Sequence, residues 1–122
     1  MCWAHLRRLL VASTCILLLY PTYSAQAQWK TFDTRLKSDD LAALKAATMH
    51  LLDRPQLAEG AFEAWSNPRS GVNGTIVAGK PLIRNGTECW ALDYFMHVPG
   101  PNADRDRAFT WCRTNDGWKI GE

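Results

Sequence analysis

The sequence is 122 residues long, which suffices for one domain with its own core and leaves no room for a second. Hydrophobic residues make up 47% and charged residues 21%, so wholesale disorder is excluded. The formal net charge of +2 falls to zero when residues 1–27 are left out, because the only charged side chains among them are two arginines. The remaining chain has no net positive charge that would favour nucleic acid or anionic lipid.

Residues 1–27 have the features of a secretory signal peptide. Two arginines precede an apolar run over residues 9–20, and an Ala-x-Ala site ends at Ala27. The run is 12 residues long, whereas a membrane-spanning helix needs about 20. We therefore predict cleavage after Ala27 and no transmembrane helix in the mature chain. Acylation of Cys15, as in a lipoprotein, stays open as the alternative.

A helix is predicted after an extended lead-in over residues 28–37. Ser38 is placed to cap the helix, and the two aspartates after it suit the positive end of its dipole. Pro55 ends the pattern, so the helix should end at about Asp53 or Arg54. The residues that recur at helical spacing and should face the core are Leu41, Leu44, Thr48, Leu51 and Leu52.

The rest of the chain alternates strand and turn signals. Asn85-Gly86 is a strong hairpin signal, and Pro81 marks a bulge, a turn or an edge. Residues 99–106 are predicted to form a polar loop. The predicted strands cover residues 61–66, 74–84, 87–98, 107–113 and 118–120. The predicted fold class is α+β, with one N-terminal helix packed on a four- to five-stranded antiparallel β-meander.

Two cysteines remain once residues 1–27 are removed. In an exported domain of this size, Cys89 and Cys112 are predicted to form one disulfide. The loop that it closes makes the bond worth about 3 kcal/mol of stability. Two buried thiols are the alternative. A catalytic thiol is less favoured, because the sequence has no C-x-x-C motif.

Three short motifs occur in a distinctive order along residues 61–120. They are Trp65-x-Asn67-Pro68-x-Ser70-Gly71-x-x-Gly74, Gly86-x-x-Cys89 and Cys112-Arg113-x-x-Asp116-Gly117-Trp118. This order resembles the C-terminal domain of the bacterial 17 kDa surface antigens, so residues 38–122 are interpreted as a surface-antigen-like domain. The chain departs from that family in three ways. It has no credible lipobox, it has no glycine-rich segment, and Trp90 stands where an arginine is expected.

The resemblance implies an exported, non-enzymatic envelope protein with a structural or interaction role. We expect it in the periplasm, outer membrane or cell surface of a Gram-negative bacterium, with an envelope protein or a glycan as partner. The alternative is a soluble periplasmic binding or inhibitor module that recognises a protein or glycan through an exposed aromatic sheet face. The candidate binding residues are Trp65, Asn67, Trp90, Tyr94, Trp111 and Trp118.

No residue pattern favours catalysis or a metal. His50 and His97 are the only histidines after residue 27, and a zinc site needs three or four ligands at short spacings. No serine lies in the context of a nucleophile elbow. We therefore predict no catalytic residue, no metal ligand and no cofactor.

Overall fold

The computed structural model describes residues 33, 35–101 and 104–121. Within these residues a helix is followed by a single five-stranded antiparallel sheet, in which each strand pairs with the next along the chain. The elements are α1 (Ser38–Leu52), β1 (Phe62–Ser66), β2 (Asn73–Arg84), β3 (Thr87–His97), β4 (Asp104–Thr114) and β5 (Gly117–Ile120). This confirms the predicted α+β meander.

Two sequence predictions concern residues outside this range. The signal peptide (residues 1–27) and the first part of the lead-in (28–32) lie outside the described residues. The end of the lead-in is described: Arg35 forms an ion pair with Asp33 at 3.0 Å, and Leu36 is buried in the core. In the described part, no helix is both long enough and apolar enough to cross a membrane.

The start of α1 differs from the prediction. Ser38 is the first helical residue, and the N-cap is Lys37. The carboxylate of Asp40 accepts a hydrogen bond from the backbone N–H of Lys37 at 3.0 Å. An acidic side chain inside the first turn therefore satisfies the backbone before the helix, which is half of a capping box. The helix ends as predicted, with Asp53 as its C-cap.

The strand and turn chemistry of β2 and β3 follows the prediction. Asn85 and Gly86 join the two strands with φ values of 50° and 75°, as a tight hairpin with two left-handed residues requires. The register between β2 and β3 shifts between Ala78 and Pro81, so the proline lies at an irregularity where its missing N–H is tolerated.

Alternation along the strands gives the sheet two distinct faces. The inner face packs against α1 and carries the core, and the outer face carries the intervening residues. On β3 the buried inner residues are Trp90, Leu92, Tyr94 and Met96, which confirms the predicted face of this strand. The other buried core side chains include Leu44, Leu51 and Leu52 of α1, Trp65 of β1, Ile76 and Ala78 of β2, and Trp111 of β4.

The prediction of a loop through residue 106 is wrong, because β4 begins at Asp104. Its pairing with β3 continues without a shift from Cys89↔Cys112 to His97↔Asp104. Residues 104–107 read Asp-Arg-Asp-Arg and have no apolar member, so the sequence lacks the alternation that marks a half-buried strand. Both faces of the sheet are exposed there, so the strand is defined by backbone pairing with β3 and not by burial of apolar side chains.

Candidate functional site

The loop between β1 and β2 is fastened to the first turn of α1. The Asn67 side-chain amide donates hydrogen bonds to Asp40 at 2.7 Å and to Asp39 at 3.0 Å, and the Ser70 hydroxyl also donates to Asp40. Burial raises the pKa of the Asp40 carboxyl, but hydrogen bonds from Ser70, the Lys37 N–H and Asn67 outweigh this effect and hold the pKa below its ordinary value. Asn67, a candidate binding residue, is thus a buried contact between loop and helix.

The aromatic candidates lie mainly in the core. Trp65, Trp90, Tyr94 and Trp111 are buried on the inner face, so their rings do not form an exposed platform. Trp118 is the exception, because it is partly exposed and borders a groove of about 330 Å³ between α1 and β5. Of the six candidate binding residues, four are therefore buried on the inner face and Asn67 is buried between the β1–β2 loop and α1. Only Trp118 is partly exposed.

A chain of buried hydrogen bonds joins β4, β3 and α1. The indole N–H of Trp111 donates to the Tyr94 hydroxyl at 2.9 Å, and the Thr48 hydroxyl donates to the Leu44 carbonyl at 2.9 Å. The Tyr94 and Thr48 oxygens are 3.0 Å apart, and because the Thr48 proton is used, Tyr94 donates to Thr48. Burial raises the pKa of Tyr94 far above its ordinary value, so the phenol is neutral.

Trp65 lies against the backbone of the neighbouring strands. A Cβ at Gly74, its partner on β2, would lie 3.0 Å from the Trp65 indole nitrogen and would overlap the Phe95 carbonyl oxygen. That indole N–H is buried and has no hydrogen-bond partner among the described residues. Gly74, which is part of the first motif, is therefore required for close packing.

The outer face of the sheet carries the exposed apolar surface. Phe62 of β1 is 60% exposed and pairs with Val77 of β2, and Phe95 of β3 is 46% exposed. The face becomes acidic toward β4, where Asp106 is the cross-strand partner of Phe95. The apolar outer face, as we call it, consists of Phe62, Ala64, Thr75, Val77 and Phe95.

A shallow depression of about 490 Å³ lies at the acidic end of this face. Phe95, His97, Asp104 and Asp106 are among the residues that line it. His97 Nδ1 lies 2.8 Å from an Asp104 carboxylate oxygen. The depression therefore combines an exposed aromatic ring with two carboxylates and the Arg105 guanidinium. Asp104 is already paired with His97, so Asp106 beside the Phe95 ring is the carboxylate best placed to meet a positively charged group.

The predicted disulfide is present. Cys89 and Cys112 are directly opposite each other on β3 and β4, with a Cα–Cα distance of 4.1 Å, and their sulfurs are bonded. The bond lies on the outer face, at the end of the sheet away from the depression. Cys89 is fully buried even though the alternation places it on this face.

Neither described histidine lies in a cluster with metal-ligand geometry. His50 contacts Glu63 at 2.8 Å, and His97 contacts Asp104. Among the described residues, no group of three or more His, Cys, Asp or Glu side chains is arranged to hold a metal ion. Burial raises the pKa of Glu63, but His50 and Arg54 outweigh it and hold that pKa below its ordinary value.

Comparisons with protein-family models, with curated proteins and with solved structures found no match to this chain. Sequence reasoning did not single out Phe62, Asp104 and Asp106. The alternating charges of residues 104–107 were the available signal for the last two, because a period of two also indicates a strand with two exposed faces.

Proposed function

We propose that the chain is an exported, non-enzymatic cell-envelope protein of the 17 kDa surface antigen type, with a structural or interaction role. The observation that carries the proposal is the bond between Cys89 and Cys112. A disulfide across adjacent strands of a small domain is typical of an oxidising compartment, such as the periplasm or the cell surface.

The motifs that resemble the family also support the proposal. Asn67 and Ser70 bind the buried Asp40 carboxylate, and Gly74 permits close packing of Trp65. Gly71 has a φ of 77°, in the left-handed region that favours glycine. Each of these residues has a role in maintaining the scaffold, as expected for a shared domain whose surface is free to bind different partners.

The test is a non-reducing intact mass of the protein isolated from the envelope fraction of its host. We expect the mass of residues 28–122 less two hydrogens, which would establish export, cleavage after Ala27 and the disulfide together. A heavier species with acyl chains on Cys15 would place the protein on a membrane. An uncleaved mass with free thiols would contradict the proposal. A reduced aliquot provides the control, because its mass must rise by two hydrogens.

The second candidate is a periplasmic binding or inhibitor module that recognises a protein or glycan. Exposure of Phe62 and Phe95 on the apolar outer face favours it, because stacking on sugar or peptide needs accessible rings. Soluble peptidoglycan fragments are the probe, and binding should be lost in Phe62→Ala and Phe95→Ala variants. Ile83→Ala is the matched control, since Ile83 is 71% exposed but does not belong to this surface. Unchanged binding in all three variants would contradict this candidate.

A further inference from the structure

One edge of the sheet is only partly covered. β4 spans Asp104–Thr114, whereas β5 pairs with Trp111–Thr114 alone and the Gly121 N–H adds one bond to the Thr110 carbonyl. Over residues 104–108, β4 has a strand partner on the β3 side only, as far as the described residues show. We call residues 104–108 the open edge.

The register identifies which backbone groups point out of the open edge. Residues opposite each other in an antiparallel ladder have Cα atoms about 5.5 Å apart in a hydrogen-bonded pair and about 4.5 Å apart in a non-hydrogen-bonded pair. The Cα–Cα distance of 4.1 Å between Cys89 and Cys112 identifies a non-hydrogen-bonded pair. The N–H and C=O of Cys112, and of every second residue before it, therefore point away from β3. The bond accepted by Thr110 agrees with this pattern. The pattern continues without a shift, so Asp104, Asp106 and Ala108 each direct an N–H and a C=O outward.

The opposite edge of the sheet is covered in a different way. On β1 the outward carbonyl of Phe62 accepts a hydrogen bond from Arg54 at 2.7 Å, and the same guanidinium pairs with Glu63. The helix also packs against this strand. The β1 edge is therefore protected by the Arg54 side chain and by the helix. The open edge of β4 is the place where a further strand can add to the sheet.

The charge pattern of the open edge disfavours pairing with a second copy. Asp104 and Asp106 lie on the outer face, and Arg105 and Arg107 lie on the inner face. If two copies of β4 pair as antiparallel strands about a two-fold axis, residues whose N–H and C=O point out of the edge must lie opposite each other. Registers centred on residues 105, 106 or 107 place arginine opposite arginine, and those centred on residues 104, 105 or 106 place aspartate opposite aspartate. Like charges directly opposite each other destabilise a sheet.

We propose that the open edge binds an extended segment of a different protein by antiparallel strand addition. Its basic residues face Asp104 and Asp106, and its acidic residues face Arg105 and Arg107. Two of these charges also have a partner within the chain, since Asp104 contacts His97 at 2.8 Å and Arg105 lies 3.9 Å from Asp33. A lysine or arginine on the outer face then lies beside the depression and the exposed ring of Phe95. The inference rests on the interaction role proposed above and defines the chemistry of the partner.

The probe is a short end-blocked peptide of alternating lysine and glutamate. Without it, the amides of Asp104, Asp106 and Ala108 should exchange rapidly with solvent, and saturating peptide should protect them. Methylation of the lysine amides, which face β4 in this register, should weaken binding by about tenfold or more. Methylation of the glutamate amides should leave binding unchanged.

Three results would overturn the proposal. The three amides could be protected in the protein alone, which would mean that residues 28–32 or a second copy already cover the open edge. The lysine-methylated peptide could bind as tightly as the parent peptide. An all-glutamate peptide could bind as tightly as the alternating one, which would refute the charge complementarity.

A pair of variants tests the edge from the side of the protein. Ala108→Pro removes an N–H that points away from β3, so the β3–β4 ladder is retained and peptide binding should be lost. Ala108→Thr is the matched control, because it retains the N–H and should bind normally. If the proline variant fails to fold, the methylated peptides decide the question on the unaltered protein. Failure of peptide binding would leave the mass of the exported form unchanged, so the two proposals fail separately.

Discussion

Removing the hydroxyl of Tyr94 should destabilise the protein more than its small change in volume suggests. The hydroxyl is fully buried and joins the indole N–H of Trp111 to the Thr48 hydroxyl. Tyr94→Phe removes both hydrogen bonds, worth about 1 kcal/mol each, and takes away the oxygen that accepts the buried indole N–H, which adds about 1 kcal/mol or more. We expect the free energy of unfolding to fall by about 3 kcal/mol, a large share of the stability of a small domain.

Urea denaturation followed by tryptophan fluorescence and circular dichroism measures this loss. Thr48→Val, which is nearly isosteric, should cost about 1 kcal/mol, and the double variant should show a coupling of about 1 kcal/mol with Tyr94→Phe. Thr110→Val is the control, because this half-buried hydroxyl lies on the outer face and its loss should change stability by about 0.5 kcal/mol at most.

The reasoning would be refuted if Tyr94→Phe cost no more than the Thr110→Val control. It would also be refuted if the Tyr94 and Thr48 substitutions were additive, since independent effects would mean that the two oxygens do not exchange a hydrogen bond.

Three further predictions concern other parts of the scaffold. Because the pKa of Asp40 is lowered in the folded state, its stabilising effect is present above the ordinary carboxyl value of 3.8 and is lost as the pH falls through the folded pKa. Urea midpoints measured from pH 7 to pH 2 should therefore fall in the acid range, and Asp40→Asn should be less stable at pH 7 with a flatter profile. The Cys89→Ala/Cys112→Ala double variant should lose about 3 kcal/mol in urea denaturation, and an unchanged midpoint would contradict this. Gly74→Ala should lose more than about 2 kcal/mol by the same measurement, since its Cβ would overlap the Phe95 carbonyl, and a neutral result would show that the strands can separate there.

Local signals predicted most of the fold. The helical spacing of the leucines in α1, the Asn85-Gly86 turn and Pro81 at the bulge each act over a few residues, so a sequence window contains all the physics that decides them. The N-cap and the start of β4 were wrong, because the first depends on the carboxylate of Asp40 and the second on pairing with β3. The first partner is only three residues away, but an aspartate in the first turn does not show which backbone N–H it will bind. The second lies on another strand and is not visible in the local pattern.

The candidate site was predicted less well than the fold. Trp90 and Tyr94 were correctly placed on one face of β3, but a sequence does not show which face a helix will cover. The structure puts that face in the core and leaves Phe62 and Phe95 exposed on the other. An aromatic residue in a strand signals packing or binding equally well, and only the position of α1 distinguishes the two.

The sequence by itself determined the order of helix and strands, the turns and the prediction that Cys89 pairs with Cys112. These follow from periodicity, from backbone preferences and from composition, all of which are properties of neighbouring residues. Only the tertiary structure decided that Asn67 and Ser70 bind the helix through Asp40, and that β5 leaves residues 104–108 open. Such contacts depend on where distant segments meet and on how far each strand extends along its neighbour, which no local pattern encodes.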